Sequence, residues 1–107
     1  MIGSQDVQRV LDRIVAFHNP EAIYVFGSYA KGDLKPTSDL DLVIVERTAV
    51  PRRMRGLDVQ GVLGELPFDI DLLFVTPDEL DDDVDDPWTL LGTVMAGARQ
   101  LYRRDAA

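Results

Sequence analysis

Three short apolar runs constrain the fold of this chain more than any other feature. They lie at residues 22–26, 39–45 and 68–75, and the second and third each carry an Asp-x-Asp pair before the apolar residues continue. Runs of this length, rich in β-branched and aromatic residues, predict buried strands. Because alternate residues of a strand share a face, each aspartate pair projects to one side and the leucines and isoleucines to the other.

Helical spacing of apolar residues surrounds these strands. Residues 5–18 form an amphipathic pattern after Ser4, a candidate N-cap, and the pattern ends before a proline. Residues 52–64 and 88–98 are also predicted to be helical, and residues 99–103 to form a last strand at the sheet edge. The pattern predicts one α/β (α+β) domain over residues 1–107, with a small mixed sheet of about four strands flanked by helices.

Two polar positions predict helix starts in the second half of the chain. Thr76 is followed by a proline and by Glu79, which together form a capping-box pattern. Asp86 is a second candidate N-cap, because it also precedes a proline, Pro87. It ends the acidic run 81–86, which is interpreted as a solvated connector. The apolar residues of the following helix are assigned mainly to the core, although some of them can form an interface, because a domain this small often leaves an apolar face for a partner: Trp88, Leu90, Leu91 and Met95.

Composition excludes several functional classes. The 107 residues carry a net charge of −8, which argues against a protein that binds duplex nucleic acid. The absence of cysteine excludes disulfides and thiolate metal sites. The N-terminus has no apolar signal-peptide core and no run is long enough to span a bilayer, so a cytoplasmic protein without membrane contact is expected.

The aspartate pairs are the first candidate for chemistry. Asp39 and Asp41 share one strand face, as do Asp69 and Asp71. If the two strands pair, three or four carboxylates converge at one end of the sheet. Such anions repel one another unless cations lie between them, and hard oxygen ligands of this kind suit Mg²⁺ or Mn²⁺. The arrangement is compatible with two-metal phosphoryl transfer.

A second candidate lies between the first two strands. Gly27 lets a ligand approach the backbone closely, and Ser28 adds a hydroxyl at the start of the next helix or turn. Lys31 is placed where it can reach a triphosphate, although a solvated lysine is the plainer interpretation. A glycine and a serine after a strand are by themselves only a weak indication, since many turns have this sequence.

Together these residues resemble the signature of the polymerase-β-like nucleotidyltransferase superfamily, which is Gly-Ser, ten residues, and then Asp-x-Asp. Residues 27–45, GSYAKGDLKPTSDLDLVIV, match that spacing. The stretch DLLFVTPDEL at residues 71–80 is similar to the family's third-carboxylate strand, with Asp71 as the best match and Asp69 as the alternative. The resemblance extends to the closing segment MAGARQLYRR and is greatest to the short minimal-nucleotidyltransferase (MNT) subgroup.

The resemblance implies an activity, cofactors and a partner. It implies transfer of AMP from ATP to a hydroxyl group, with two Mg²⁺ ions held by Asp39, Asp41 and Asp71 and the triphosphate held by Gly27 and Ser28, with Lys31 beside them. Members of the subgroup pair with small helical HEPN-type RNase toxins, which they inactivate as antitoxins by transferring AMP to a tyrosine. A hetero-oligomer with such a toxin is therefore a further expectation.

Two alternatives stay open at this point. The domain can be a non-catalytic antitoxin that neutralises its partner by occlusion, with the motif retained but idle. It can also be one subunit of an adenylyltransferase that modifies a small molecule such as an aminoglycoside. A template polymerase fits least, given the net charge of −8.

The remaining polar residues receive plainer interpretations. His18, the only histidine, is expected to interact with the dipole at a helix C-terminus and not to act in catalysis. Four arginines follow the second strand and are interpreted as a solvated helix face: Arg47, Arg52, Arg53 and Arg55.

Overall fold

The computed structural model describes residues 3–32, 39–64, 66 and 68–104. The predicted loop at 33–38 lies outside this part of the chain. The helices and strands in chain order are α1 (Ser4–His18), β1 (Ala22–Phe26), α2 (Gly27–Lys31), β2 (Leu40–Val45), a 3₁₀ turn (Arg52–Met54), α3 (Val59–Leu63), β3 (Ile70–Val75), α4 (Pro77–Asp83), α5 (Leu90–Ala96) and β4 (Arg99–Arg103).

The strands form one mixed sheet in the order β3-β2-β1-β4. β1 runs antiparallel to both of its neighbours, whereas β2 and β3 are parallel. The predicted architecture, a mixed four-stranded sheet flanked by helices, is confirmed. The parallel pair matters most for function, because parallel strands begin at the same end of a sheet. Both Asp-x-Asp pairs are therefore brought to one end.

Each face of the sheet buries its own apolar cluster. On one face, Leu42 and Ile44 of β2 pack with Ile14 of α1 and Val59 of α3. On the other face, Val43 and Val45 pack with Val75 of β3 and Leu91 of α5. Because β2 is covered on both faces, its residues after Asp41 are continuously apolar and do not alternate with polar ones. Among the described residues, no helix is long and apolar enough to cross a membrane.

α1 begins at Ser4, one residue earlier than the predicted helix over 5–18. Gly3, not Ser4, is the N-cap, and its backbone N–H donates to the Asp6 carboxylate over 2.9 Å. Asp6 thus accepts from the N–H of the cap residue itself, which is a different contact from the one that Ser4 was expected to make with the N–H groups of the first turn. Asn19 ends the helix in the left-handed region with φ of 46° and donates its N–H to the Val15 carbonyl.

The predicted helix over 52–64 is wrong as a single element. The structure has the short 3₁₀ turn and α3, separated at Gly56, which has a positive φ of 76°. A Cβ at Gly56 would overlap the Phe74 ring, so the chain needs glycine here to pass close to β3. Tertiary packing thus overrides the weak helical pattern.

The helix start at Thr76 is confirmed. The Thr76 hydroxyl accepts from the Glu79 N–H over 3.2 Å, and the Glu79 carboxylate accepts from the Thr76 N–H over 2.8 Å. The start predicted at Asp86 is wrong, because Thr89 caps α5 and accepts from the Gly92 N–H. Asp86 instead accepts from the Trp88 N–H in a local turn. The assignment of Trp88 and Leu90 to the core is wrong for both, since Trp88 is 94% exposed and Leu90 73%.

The junction of α4 and α5 leaves no room for a side chain at Gly92. A Cβ there would overlap the backbone carbonyl oxygens of Asp83 and Asp86. We expect Gly92→Ala to destabilise the domain by about 3 kcal/mol, at the upper end for overpacking, because backbone atoms must move. Thermal unfolding measures this change. Gly61→Ala in α3 is the control, since nothing lies within 4 Å of its Cβ position. Equal stability of the two variants would contradict the packing described here.

Candidate active site

Two aspartates lie side by side where β2 and β3 begin. The parallel pairing places Asp41 opposite Asp71, and their carboxyl groups are within hydrogen-bonding distance of each other. Asp41 alternates with Leu40 and Leu42, which are buried on the α1 face, so its carboxylate is on the face that α5 covers.

The charge of Asp41 is unfavourable in this position. Burial of the carboxyl group, the hydrogen bond and charge of Asp71, and the charge of Asp39 together raise the pKa of Asp41 from 3.8 to about 6. Like charges held this close disfavour joint ionisation, whereas a cation between them favours it. The position of Asp41 beside Asp71 therefore favours the binding of a cation between the two carboxylates.

The first aspartate of each Asp-x-Asp motif lies one residue before its strand. Asp39 directly precedes β2 and Asp69 directly precedes β3, and the Leu40 N–H donates to the Asp69 carbonyl over 2.9 Å. Asp39 is half-buried, and Asp69 is exposed. Together with Asp71 they line an open pocket of about 700 Å³ at the edge of the sheet.

The rest of the pocket is formed by α3, by the segment that follows it and by the first residue of β3, with four apolar side chains among them: Gly61, Leu63, Gly64, Leu66, Phe68 and Ile70. The sequence analysis did not single out these residues. Their only signal in the sequence is an apolar run, which is equally typical of the core. The pocket combines carboxylates with a surface on which a planar apolar group can lie.

The carboxylates fit a cation that is delivered with a ligand. Within the described part of the chain, no three histidine, cysteine, aspartate or glutamate side chains converge closely enough to hold a metal ion by themselves. Asp41 and Asp71 are in direct contact, and Asp39 acts on Asp41 by charge repulsion. Mg²⁺ commonly takes one or two protein carboxylates and completes its shell with water and substrate phosphates. The donor set here suits that arrangement.

Gly27 closes the other side of the carboxylate pair. Its neighbour Phe26 is the register partner of Asp41, and Gly27 has a φ of 69°. A Cβ at Gly27 would overlap the Asp41 carboxylate. Ser28 is the second residue of α2, and its side chain lies outside the described part of the structure.

Lys31, at the end of α2, lies near Gly27 but not in the large pocket. Both residues line a smaller pocket of about 230 Å³ together with Phe26 of β1 and with Thr93 and Gly97 near the end of α5. The Lys31 side chain is exposed. The contact of α5 with Gly27 and Lys31 could not be predicted from the sequence, because it depends on how α5 crosses the sheet.

His18 is remote from the aspartates, at the end of the sheet where β2 finishes. Its Nδ1 lies 3.2 Å from the Glu46 carboxylate and its Nε2 3.2 Å from the Asp58 carboxylate, although the second contact does not have hydrogen-bond geometry. The ring also packs against Phe74, with 5.3 Å between ring centroids. His18 thus joins α1 to the segment after β2.

The arginines that follow β2 are also at that end, and the prediction of a solvated face is wrong for one of them. The Arg55 side chain is only 8% exposed and pairs with the Glu79 carboxylate over 2.6 Å. It donates further to the carbonyls of Val50 and Phe74. Arg52 pairs with the same glutamate over 3.0 Å. These residues stabilise the fold.

Comparison with known proteins identifies the family of the chain and a similar fold. The family model described as "Nucleotidyltransferase domain" matches residues 7–66, which include most of α1 and all of β1, α2, β2 and α3. The crystal structure of a provisionally assigned nucleotidyltransferase from Sulfolobus solfataricus is similar in fold, with a TM-score of 0.61 and 22% identity over 91% of this chain and 76% of that chain. No protein of curated function matches the sequence.

Proposed function

The chain belongs to the nucleotidyltransferase domain family, and we propose that it transfers AMP from ATP to a hydroxyl group of an acceptor. Membership of the family supports transfer of a nucleoside monophosphate in general. For this chain the proposal depends on one observation, the contact of Asp41 with Asp71 directly beside the bare backbone of Gly27. That contact places a carboxylate pair, which favours a bound cation, against the backbone at the start of α2.

Each residue of the motif has a role in the proposal. Gly27, Ser28 and Lys31 hold the triphosphate, while Asp39, Asp41 and Asp71 would hold the divalent cations that accompany it. When bound, these cations supply the positive charge that offsets the charge of the triphosphate and of the departing pyrophosphate. Because Asp41 and Asp71 are fixed at the start of two paired strands, the α-phosphate would be held through the cations in a constant position relative to the acceptor.

The transfer itself is a displacement at the α-phosphorus. The acceptor oxygen forms a bond to this phosphorus, the bond to the oxygen that bridges to the β-phosphorus breaks, and pyrophosphate leaves. The hydroxyl proton passes to a carboxylate, which acts as general base. We assign this role to Asp71 over Asp69, because Asp71 lies opposite Asp41 in the sheet register.

The acceptor is proposed to be a tyrosine of a HEPN-type toxin. The 700 Å³ pocket supports an aromatic acceptor, since it offers Leu63, Leu66 and Phe68 beside the carboxylate of Asp71. A phenol ring can lie on these apolar side chains with its hydroxyl directed to Asp71. The antitoxin role follows from this modification, which would inactivate the toxin.

A transfer assay tests the proposal. ATP labelled at its α-phosphate, Mg²⁺ and the purified product of the neighbouring gene are mixed with the wild type or with the Asp39→Asn/Asp41→Asn double variant. We expect label on the partner protein with the wild type and none with the double variant. A stable complex that carries no label in either case would contradict transfer and support neutralisation by occlusion. Labelling of an added aminoglycoside, and not of the protein, would contradict the proposed acceptor.

Gly27→Ala is expected to lower the transfer rate by about 10²-fold, because the new Cβ displaces the Asp41 carboxylate from its position. A shift of about 1 Å at a reacting centre has an effect of this size. Gly32→Ala is the matched control. Gly32 also has a positive φ, of 75°, but a Cβ there meets nothing within 4 Å. Similar losses in both variants would show that backbone strain, not displacement of Asp41, causes the effect.

A further inference from the structure

The two sides of the large pocket are held in place by different parts of the fold. We call this pocket of about 700 Å³ beside Asp71 the acceptor pocket, because the proposed function places the phenol of the acceptor there. Its sheet side carries the carboxylates and is fixed by the pairing of β2 with β3. Its other side is formed by α3 and the residues that follow it, among them Leu63, Gly64 and Leu66.

The short helix α3 does not fix its own position. It has five residues, whereas an isolated helix needs roughly 12–15 residues to be even marginally stable in water. A glycine with positive φ precedes it and another follows it, Gly56 at 76° and Gly64 at 69°, so the helical path does not continue through either of them. The place of α3 is therefore set by its contacts with the rest of the fold, where Val59 and Leu63 are buried in the apolar cluster that includes Ile14 of α1.

Arg13 of α1 holds the end of α3 that borders the pocket. Its Nη1 donates to the carbonyl oxygen of Leu63, the last residue of α3. The last carbonyls of a helix have no partner within the helix, and a positive charge beside them is favourable. The same nitrogen lies against Gly64, since a Cβ there would be 3.7 Å from it. Among the described residues, this is the side-chain hydrogen bond that joins α1 to α3, because the 3.2 Å contact of His18 with Asp58 at the other end lacks hydrogen-bond geometry.

We infer that Arg13 is a positioning residue of the acceptor pocket, which keeps the apolar side of the pocket at a fixed distance from the carboxylate of Asp71. The inference rests on the proposed function, because it concerns how the phenol of the acceptor is held. Arg13 does not line the pocket itself and acts through Leu63 and Gly64, which do. Without the guanidinium, Val59 and Leu63 remain buried, so the domain stays folded but the end of α3 is no longer fixed. The nucleotide and cation site is unaffected, because strand pairing supports it.

Binding of p-cresol, which has the phenol group of a tyrosine side chain, tests the inference without requiring transfer. The backbone amide signals of Gly61 and Gly64, which line the pocket, report the titration by NMR. We expect the wild type to bind p-cresol with a dissociation constant on the order of a millimolar, as fits so small a ligand. Arg13→Met keeps a long unbranched side chain but lacks the donors, and it should bind about tenfold more weakly, the effect of losing one charged hydrogen bond. Arg13→Lys restores a charged donor and should bind more tightly than Arg13→Met.

The affinity for ATP in Mg²⁺, measured by calorimetry on the same variants, separates positioning from a general structural role. It should equal that of the wild type in each variant, because the carboxylate pair is held by the sheet. Arg9→Met is the matched control, since Arg9 is an exposed arginine of the same helix. This control should bind both p-cresol and ATP as the wild type does.

Three results would overturn the inference. Arg13→Met that binds p-cresol as tightly as the wild type would leave Arg13 no role in the pocket. Equal loss of affinity for p-cresol and ATP would show a general structural role, and a wild type that does not bind p-cresol would show that the pocket does not receive a phenol. Selective loss of p-cresol binding in a protein that transfers no label to its partner would uphold the inference and count against the proposed transfer instead.

Discussion

Asp41→Asn is expected to lower nucleotidyl transfer by at least about 10³-fold. The change removes a carboxylate that is proposed to bind the cations, and such interactions contribute several kcal/mol to phosphoryl transfer, with each 1.4 kcal/mol worth about a tenfold change in rate. The measurement is the initial rate of label transfer at saturating ATP and Mg²⁺. Asp12→Asn is the matched control, because Asp12 is an exposed aspartate of α1 that accepts only from Gln8 among the described contacts.

The same variant should be at least as stable as the wild type at neutral pH. Because the folded pKa of Asp41 is raised from 3.8 to about 6, its ionisation opposes folding at pH values above that range. This unfavourable contribution disappears as the pH falls from about 6 to 4, and the asparagine lacks it at every pH. Lower transfer together with a lower melting temperature at pH 7 would show that the residue is structural.

Glu79→Ala is expected to destabilise the domain by roughly 3 kcal/mol, which corresponds to a fall in melting temperature of about 13 °C. The loss arises because the Arg55 guanidinium, whose side chain is 8% exposed, would remain buried without its carboxylate partner. Thermal unfolding at pH 7 is the measurement. Glu21→Ala is the control, since Glu21 pairs with the exposed Arg47 and Arg104, and loss of such pairs costs less than about 1 kcal/mol.

The contribution of Glu79 also has a defined pH dependence. Partial burial acts to raise its pKa, but hydrogen bonds from Arg55, the Thr76 backbone and Arg52 outweigh burial and lower the pKa from 4.5 to about 2. Since the folded value is the lower one, the stabilisation is fully present above pH 4.5 and is lost as the pH falls towards 2. Glu79→Gln should therefore show a flatter loss of stability over this interval. Identical acid profiles would contradict the pairing.

Local patterns were sufficient to predict most of the sheet. The range 22–26 for β1 and the range 99–103 for β4 agree with the structure, and the capping box at Thr76 and Glu79 was read correctly from four residues. These features depend on neighbours in the chain, so the sequence contains the required information. Where the outcome depends on distant contacts, as at Gly56 against Phe74, the prediction of one helix over 52–64 was wrong.

The site shows the same division between local and distant information. The Gly-Ser and Asp-x-Asp spacing made Gly27 and Asp41 candidates for the site, but the sequence left Asp69 as an alternative to Asp71 because both occupy one strand face. Only the register of β2 with β3 places Asp71 directly opposite Asp41. The apolar wall formed by Leu63 and Phe68 was also beyond prediction, since buried and pocket-lining apolar residues have the same pattern in a sequence.

The most direct test of the site is a calorimetric titration of ATP into the protein with and without a divalent cation. If Asp41 and Asp71 receive the cation together with the triphosphate, the wild type should bind ATP tightly in Mg²⁺ and at least about tenfold more weakly in a chelator. Asp41→Asn should bind weakly in both conditions. Equal affinity of the wild type and Asp41→Asn for ATP in Mg²⁺ would contradict the assignment of this carboxylate pair as the nucleotide–cation site.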